Sequence, residues 1–509
     1  MEGVVTGFNA ILDIQILLWI SFGVFLGYVV GAMPGLGKGT ATAVAIPLTF
    51  YISPLASISF LIGIAKGSTA GSAVSAILLN TPGEPSSAPT AFDGYPLSRQ
   101  GKAQKALKMG LFASVIGDIC STIALIALAE PLARYALLIG PVELTAILLF
   151  SLTFIAGLST KSLLKGLISG CIGILFATIG TETETAVQRF TFEVLELFDG
   201  LAIIPVAIGM LATAEMIRQT ANRVTIDRNT ALIVANSNKN RADRVVTLTE
   251  WRACLPSIAR GSGLGIVIGI LPGLGATVAS FLSYGMAQRA AKDPDRFGKG
   301  AIEGVAAAES ADNAVIPASF VPLFALGIPG NVISAILIGA FLMHGVTPGP
   351  LVFQQQPALI YGIYAAMIFA SLSLLAIGYF GQSFFARAVQ VQLKYIVPVV
   401  LFLCSIGAYL QGGGVFGIGV MIVFGILGFM FNKFGYSFVT FLIGFVIGPS
   451  FELSLRQALA LTNAEVANLA DHPIAIAFGV LTIVAAFGIA LQRRASERGS
   501  SNEAANVAS

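Results

Sequence analysis

The chain has 509 residues, of which 56% are hydrophobic and only 11% charged, with a formal net charge of +3. A soluble domain carries about 25% charged residues, so this composition places the chain in a membrane. The small, dispersed basic excess excludes a nucleic-acid surface, and two histidines, His344 and His472, are too few for a histidine-based metal centre.

Glu2 and Asp13 flank the start of the first apolar run and no basic stretch leads it. No cleavable signal peptide is therefore expected. Apolar stretches follow at about 12–33, 40–65, 68–82, 107–129, 134–157, 161–180 and 197–217. A polar link, 218–254, leads to a second series at about 255–287, 305–328, 331–343, 357–380, 395–409, 415–431 and 435–449. Residues 472–491 read as an extra C-terminal transmembrane helix, and 493–509 as a polar tail expected to be disordered. Fifty-six Gly and 22 Pro suit closely packed and broken helices. Cys120, Cys171, Cys254 and Cys404 are isolated and read as buried thiols, with no disulfide framework or metal site.

One stretch is written twice. Gly27–Gly37 (Gly-Tyr-Val-Val-Gly-Ala-Met-Pro-Gly-Leu-Gly) returns as Gly265–Gly275 (Gly-Ile-Val-Ile-Gly-Ile-Leu-Pro-Gly-Leu-Gly), 238 residues later. Pro followed by Gly removes a backbone donor and a Cβ where a helix would continue. A bilayer tolerates that only where protein buries it or a polar cavity is lined by it. A second pair supports the first: Leu79-Asn80-Thr81-Pro82-Gly83 matches Leu326-Gly327-Ile328-Pro329-Gly330. The chain thus reads as two repeats, 10–217 and 255–450.

Charges set the orientation. Arg99, Lys102, Lys105 and Lys108 follow the second motif of repeat one, whereas Arg289, Lys292, Arg296 and Lys299 lie between the motifs of repeat two. Basic loops face the cytoplasm. Equivalent loops then face opposite sides, so the expected fold is all-α and polytopic, with two inverted-topology repeats of broken or re-entrant helices. The threading puts the N-terminus outside, the C-terminus in the cytoplasm, and a hairpin bend at Pro272–Gly275.

Paired broken helices are the sequence pointer to a transporter's site. Gly35, Gly37, Pro82, Gly83, Pro272, Gly273, Gly275, Pro329, Gly330 and Asn331 are the expected substrate-binding backbone, joined by Ser68 and Thr69. Lys38 reads either as a cation for a carboxylate substrate or as a lysine snorkelling to the interface. Asn80, Thr81, Asp312, Asn313 and Gly327 are the expected oxygen ligands of a coupling cation. Glu84 is either a ligand or a solvated charge, and Glu309 either an intramembrane group or a helix-start charge. Lys66 reads as functional or as a structural pair, and Asp118 as part of a proton or ion path or as hydrogen-bonded to Ser121 and Thr122. Gly35–Thr40 lacks the leading Gly and the trailing Ser/Thr of a P-loop, and no hydrolase motif is present, so no enzyme and no organic cofactor are expected.

With Pro-Gly-Leu-Gly at 34–37 and 272–275, Asn-Thr-Pro-Gly-Glu-Pro at 80–85 and Gly-Ile-Pro-Gly-Asn at 327–331, the chain resembles the tripartite tricarboxylate transporter family, large membrane (permease) subunit, TctA-like. The resemblance implies a bacterial inner-membrane permease importing a di- or tricarboxylate such as citrate. It also implies a small membrane subunit of about four spans, a periplasmic solute-binding protein, and coupling to Na+ or H+. An uncoupled anion channel and a non-transporting scaffold subunit are the alternatives.

Overall fold

The computed structural model describes residues 2–159, 162–182, 184–222, 243–388 and 393–487. The C-terminal tail and most of the polar link fall outside these residues. In chain order the helices are α1 (Glu2–Ile11), α2 (Ile14–Ala32), α3 (Lys38–Ala45), α4 (Pro54–Leu79), α5 (Ala88–Arg99), α6 (Ala103–Ala136), α7 (Pro141–Ser159), α8 (Leu163–Ala177), α9 (Ile203–Ile208) and α10 (Ala214–Asn222). Beyond the link come α11 (Leu248–Ile270), α12 (Gly275–Ala290), α13 (Ile302–Ala318), α14 (Phe320–Leu326), α15 (Val332–Met343), α16 (Val352–Gln355), α17 (Pro357–Ala388), α18 (Leu393–Gln411), α19 (Val415–Phe434), α20 (Phe438–Leu461) and α21 (Pro473–Phe487). Among the described residues, eight helices are long and apolar enough to cross a bilayer. The only strands among them are the antiparallel pair Gly180–Thr181 and Gln188–Arg189. This is an all-α polytopic membrane protein.

Lipid tails are as apolar as leucine, so helices in a membrane associate by close approach over small residues rather than by hydrophobic burial. The chain uses this in its first compact unit, Met1–Ala136 with Ala202–Phe429. On α2, Gly23, Gly27 and Gly31 share one face, and a Cβ at each would strike the backbone carbonyls of Phe60, Ile64 and Ser68 on α4. Both series advance by four in the same sense, so α2 and α4 run parallel. The pattern returns in α11, where Gly261, Gly265 and Gly269 meet the carbonyls of Ala307, Ala311 and Val315 on α13, again in parallel. Each parallel pair requires the segment between its members to double back. In the second pair that segment is α12, whose Ser283 faces Gly261 while Ala276 and Ala279 cluster with Ile268. The expected hairpin at 272–275 is present.

Direction follows from two more registers. Lys66 of α4 meets Asp118 of α6, while Ile77 lies beside Gly110, so α4 and α6 are antiparallel. Gly117 packs on Ser310, and Ser121 Oγ donates to Ala314 O at 2.5 Å, so α6 and α13 are parallel. The α2–α4 and α11–α13 pairs therefore run in opposite directions. Two basic loops meet on one side, where Gln100 Nε2 donates to Lys299 O at 2.9 Å.

Of the four cysteines expected to be buried, Cys254 and Cys404 are, whereas Cys120 and Cys171 are exposed. Two expectations about the helices also change in detail. The stretches at 40–65 and 68–82 are not separate segments: Pro54–Leu79 is one helix, about 39 Å long at 1.5 Å per residue. Lys66 does not interrupt it because Asp118 pairs with it. Conversely, 305–328 divides at Ser319, between Pro317 and Pro322.

The second compact unit, Leu137–Leu201 with Met430–Ser509, holds α7, α8, the strand pair, α20 and α21. Gly173 of α8 and Gly444 of α20 let those helices approach within backbone contact. Arg189 of the strand pair grips both Glu452 oxygens, at 2.7 and 3.3 Å, and Arg456 pairs with Glu182 and Glu452. The units do not coincide with the two halves of the chain: each takes segments from both.

Candidate functional site

The first unit contains four interruptions, in two conformational pairs. Met33 and Leu271 leave their helices in extended backbone, and Gly35 and Gly273 then take φ of +83° and +91°. A side chain at either glycine would be strained. Asn80 and Gly327 end α4 and α14 as left-handed caps, with φ of 53° and 72°. The sequence duplication is thus also a duplication of backbone path.

The four interruptions converge. Glu84, just past the second break, accepts a hydrogen bond from Lys38 N at the start of α3, and Gly83 lies against Gly31 O. Gly273 N donates to Gly330 O at 2.9 Å, joining the third and fourth breaks. Across the repeats, Gly39 packs on Val332 at the start of α15, and Ser280 Oγ of α12 donates to Ser86 O at 2.6 Å. Asn331 caps α15 reciprocally with Ser334.

Lys38 sits at this meeting point. Its Nζ lies 3.0 Å from Glu84 Oε2 and 3.3 Å from Asp312 Oδ1, linking residues 274 positions apart. The Lys38 side chain is 16% exposed and that of Asp312 1%. Lys38 is thus slightly exposed while its partners are buried, and carboxylates from both halves of the chain hold its ammonium. Ser86 Oγ reaches Glu84 Oε2 at 3.5 Å and stands beside the Asp312 carboxylate. Asp312 Oδ2 nevertheless has no hydrogen-bond partner. Two carboxylates share one ammonium, an arrangement that can exchange partners with an incoming anion or cation.

One turn away, Glu309 is wholly buried in mid-helix, not at a helix start. Thr90 Oγ1 donates to its Oε1 at 2.6 Å, and Ser114 Oγ and Asn313 Nδ2 donate to its Oε2 at 3.0 and 3.4 Å. Asn313 thus serves Glu309 rather than Asp312. Ser68 is buried with an unpartnered hydroxyl, and Thr69 returns its own to Ala65 O at 2.9 Å. Pro82, Pro272 and Pro329 lie in the breaks as expected, and Gly37 packs on Glu84. Gly275, φ +68°, has open space where a Cβ would point. Asn80 and Thr81 are exposed, and Thr81 Oγ1 bonds Leu79 O at 3.2 Å. No hydrogen bond joins either to Asp312 or Asn313, and Gly327 packs on Pro348 and Gly349. The five expected cation ligands are therefore dispersed over three neighbourhoods.

Deeper in the first unit, Lys66 Nζ lies 2.8 Å from Asp118 Oδ2 and donates to Met367 O at 2.7 Å and Ser371 Oγ at 3.1 Å. Asp118 therefore pairs with Lys66; Ser121 is used by Ala314, and Thr122 bonds the Asp118 carbonyl. Four contributors escaped the sequence reading. Asp93 accepts from Gly300 N, Ala301 N and Tyr284 OH at 2.8–2.9 Å. Thr90 and Ser114 hold Glu309. Gln219 Nε2 donates to Gly35 O at 2.8 Å and so ties α10 to the first break. Asp93 and Gln219 had a visible signal, a polar side chain beside an apolar run, but nothing named their partners.

Comparison with known proteins decides the identity. The family model for the tripartite tricarboxylate transporter TctA family matches residues 17–443. The chain belongs to the TctA family. All four interruptions, Lys38 and Asp312 lie inside the matched region, whereas α21 lies beyond it. An uncharacterized 52.8 kDa protein in the TAR-I ttuC' 3'region of Agrobacterium vitis is 36% identical over 483 residues, covering 94% of this chain and 95% of that protein. An uncharacterized protein in the TAR-II ttuC' 3'region of the same organism is 37% identical over 225 residues, covering 44% of this chain and 93% of that protein. No solved structure matches. A TctA-family chain is a membrane subunit of a tripartite tricarboxylate transporter.

Proposed function

We propose that this TctA-family chain imports a di- or tricarboxylate of the citrate type across the bacterial inner membrane, coupled to a cation, Na+ or H+. It receives the substrate from a periplasmic binding protein and works beside a small membrane subunit of about four spans. The N-terminus lies outside and the C-terminus in the cytoplasm. The opposite directions of the α2–α4 and α11–α13 pairs support an inverted-repeat relation between 10–217 and 255–450.

The observation that carries the reading is the meeting of four interrupted helices at Lys38. Backbone freed from helix hydrogen bonding supplies donors for carboxylate oxygens, and Lys38 supplies charge. Glu84 and Asp312 place two carboxylates against the single ammonium of Lys38, which favours a cation in the same pocket. A site holding both ligands is closer to neutral, so the loaded state crosses the low-dielectric slab at less cost than either half-loaded state. That difference is the origin of coupling.

The test is uptake by proteoliposomes holding the chain with its small subunit, supplied with the loaded binding protein. Radiolabelled di- and tricarboxylates should accumulate only under an imposed Na+ or H+ gradient. Lys38→Ala should lower uptake roughly 10- to 100-fold, the worth of a charge-assisted hydrogen bond. Uptake that persists unchanged after both gradients are collapsed would make the chain an uncoupled channel, and no uptake of any carboxylate would refute the reading.

A further inference from the structure

Among the described residues, Lys38 is the only cation paired with two buried carboxylates that come from opposite halves of the chain. Glu84 stands just after the second interruption and Asp312 in the middle of α13. Their charges exceed that of Lys38 by one. The second Asp312 oxygen, Oδ2, is buried with no hydrogen-bond partner. A buried acceptor of this kind is costly to leave empty. Glu84 Oε2, Asp312 Oδ1 and Asp312 Oδ2 therefore form an oxygen-only cluster with one charge still to balance. That is the chemistry of a monovalent metal-cation site, with an ammonium group standing where the cation would sit.

We infer that Glu84 and Asp312 together hold the coupling cation as Na+, and that the Lys38 ammonium is a tethered stand-in for it in the empty site. When Na+ arrives, the carboxylates release Lys38, whose side chain is already more exposed than theirs, and the ammonium becomes free for a substrate carboxylate. Cation binding thus precedes substrate binding. Without the cation, Lys38 is held by its own protein and the site repels an anion. This rests on the proposed transport role and adds to it a ligand pair for the ion, Glu84 with Asp312, and an order of loading.

The test uses binding, not transport. Na+ is titrated calorimetrically into the purified full-length protein, with choline as the replaced ion, at constant pH, in two buffers of different ionisation enthalpy. Removing the stand-in by Lys38→Met should tighten Na+ binding about tenfold, the size expected when a coupled charge pair is broken on one side. Asp312→Asn and Glu84→Gln should each weaken it by a similar factor. Those two carboxylate variants decide the matter if Lys38→Met does not fold. Na+ affinity unchanged in Lys38→Met, or unchanged in both carboxylate variants, overturns the inference. So does heat that follows buffer ionisation and ignores Na+, which assigns the site to a proton. None of these results depends on which carboxylate is carried, so failure here is distinct from failure of the uptake experiment.

Discussion

Glu309 shows how a single buried carboxylate is made tolerable in the membrane-embedded unit. It has three neutral donors, Thr90, Ser114 and Asn313, so its lone pairs are met although no basic side chain bonds it. Glu309→Ala should strand those donors and cost about 1–3 kcal/mol, a lowered Tm in detergent, whereas Glu309→Gln keeps the shape and should cost less. The Lys66–Asp118 pair makes a sharper case. Lys66→Met alone leaves Asp118 charged and buried, and should cost about 3–5 kcal/mol. The double variant Lys66→Met/Asp118→Leu should recover most of that, which a double-mutant cycle of thermal melts measures. A double variant as unstable as the single one would mean the pair has no stand-alone role.

At the scale of elements, the glycine faces of α2 and α11 do what hydrophobic burial does in water. Gly27→Leu or Gly265→Leu should abolish the close approach to α4 or α13 and remove folded protein from the membrane, read as loss of monodisperse material on size exclusion. Gly263, in the same helix as Gly265, meets nothing within 4 Å, and Gly263→Ala should leave yield unchanged. Much of this was legible in the sequence: the duplicated Pro-Gly stretches located all four interruptions, because proline and glycine act on the backbone of their own segment. The partners of Lys38 and Glu309 were not legible. Hydropathy marks a charge inside an apolar run as expensive but does not say which helix faces it, and Asp312 is 274 residues from Lys38. Asp93 and Gln219 were missed for the same reason. Most of their partners are backbone groups of distant segments, which carry no side-chain signature.

For the first unit as a whole, the charge pattern anticipated which loops lie together. Gln100 and Lys299, predicted to share a side, are joined by a hydrogen bond. Cysteines placed at these two positions should therefore react with an impermeant maleimide from the same side of oriented membrane vesicles. Labelling from opposite sides would break the inverted reading of the repeats. The central claim, that interruptions from both halves of the chain meet to form one working site, is tested most directly by a cross-link. Gly39 and Val332 touch across the repeats, so Gly39→Cys/Val332→Cys, in a background with Cys120, Cys171, Cys254 and Cys404 replaced, should form a disulfide on oxidation. Carboxylate uptake should stop when the bond forms and return on reduction. No cross-link, or a complete cross-link that leaves uptake untouched, would contradict the account.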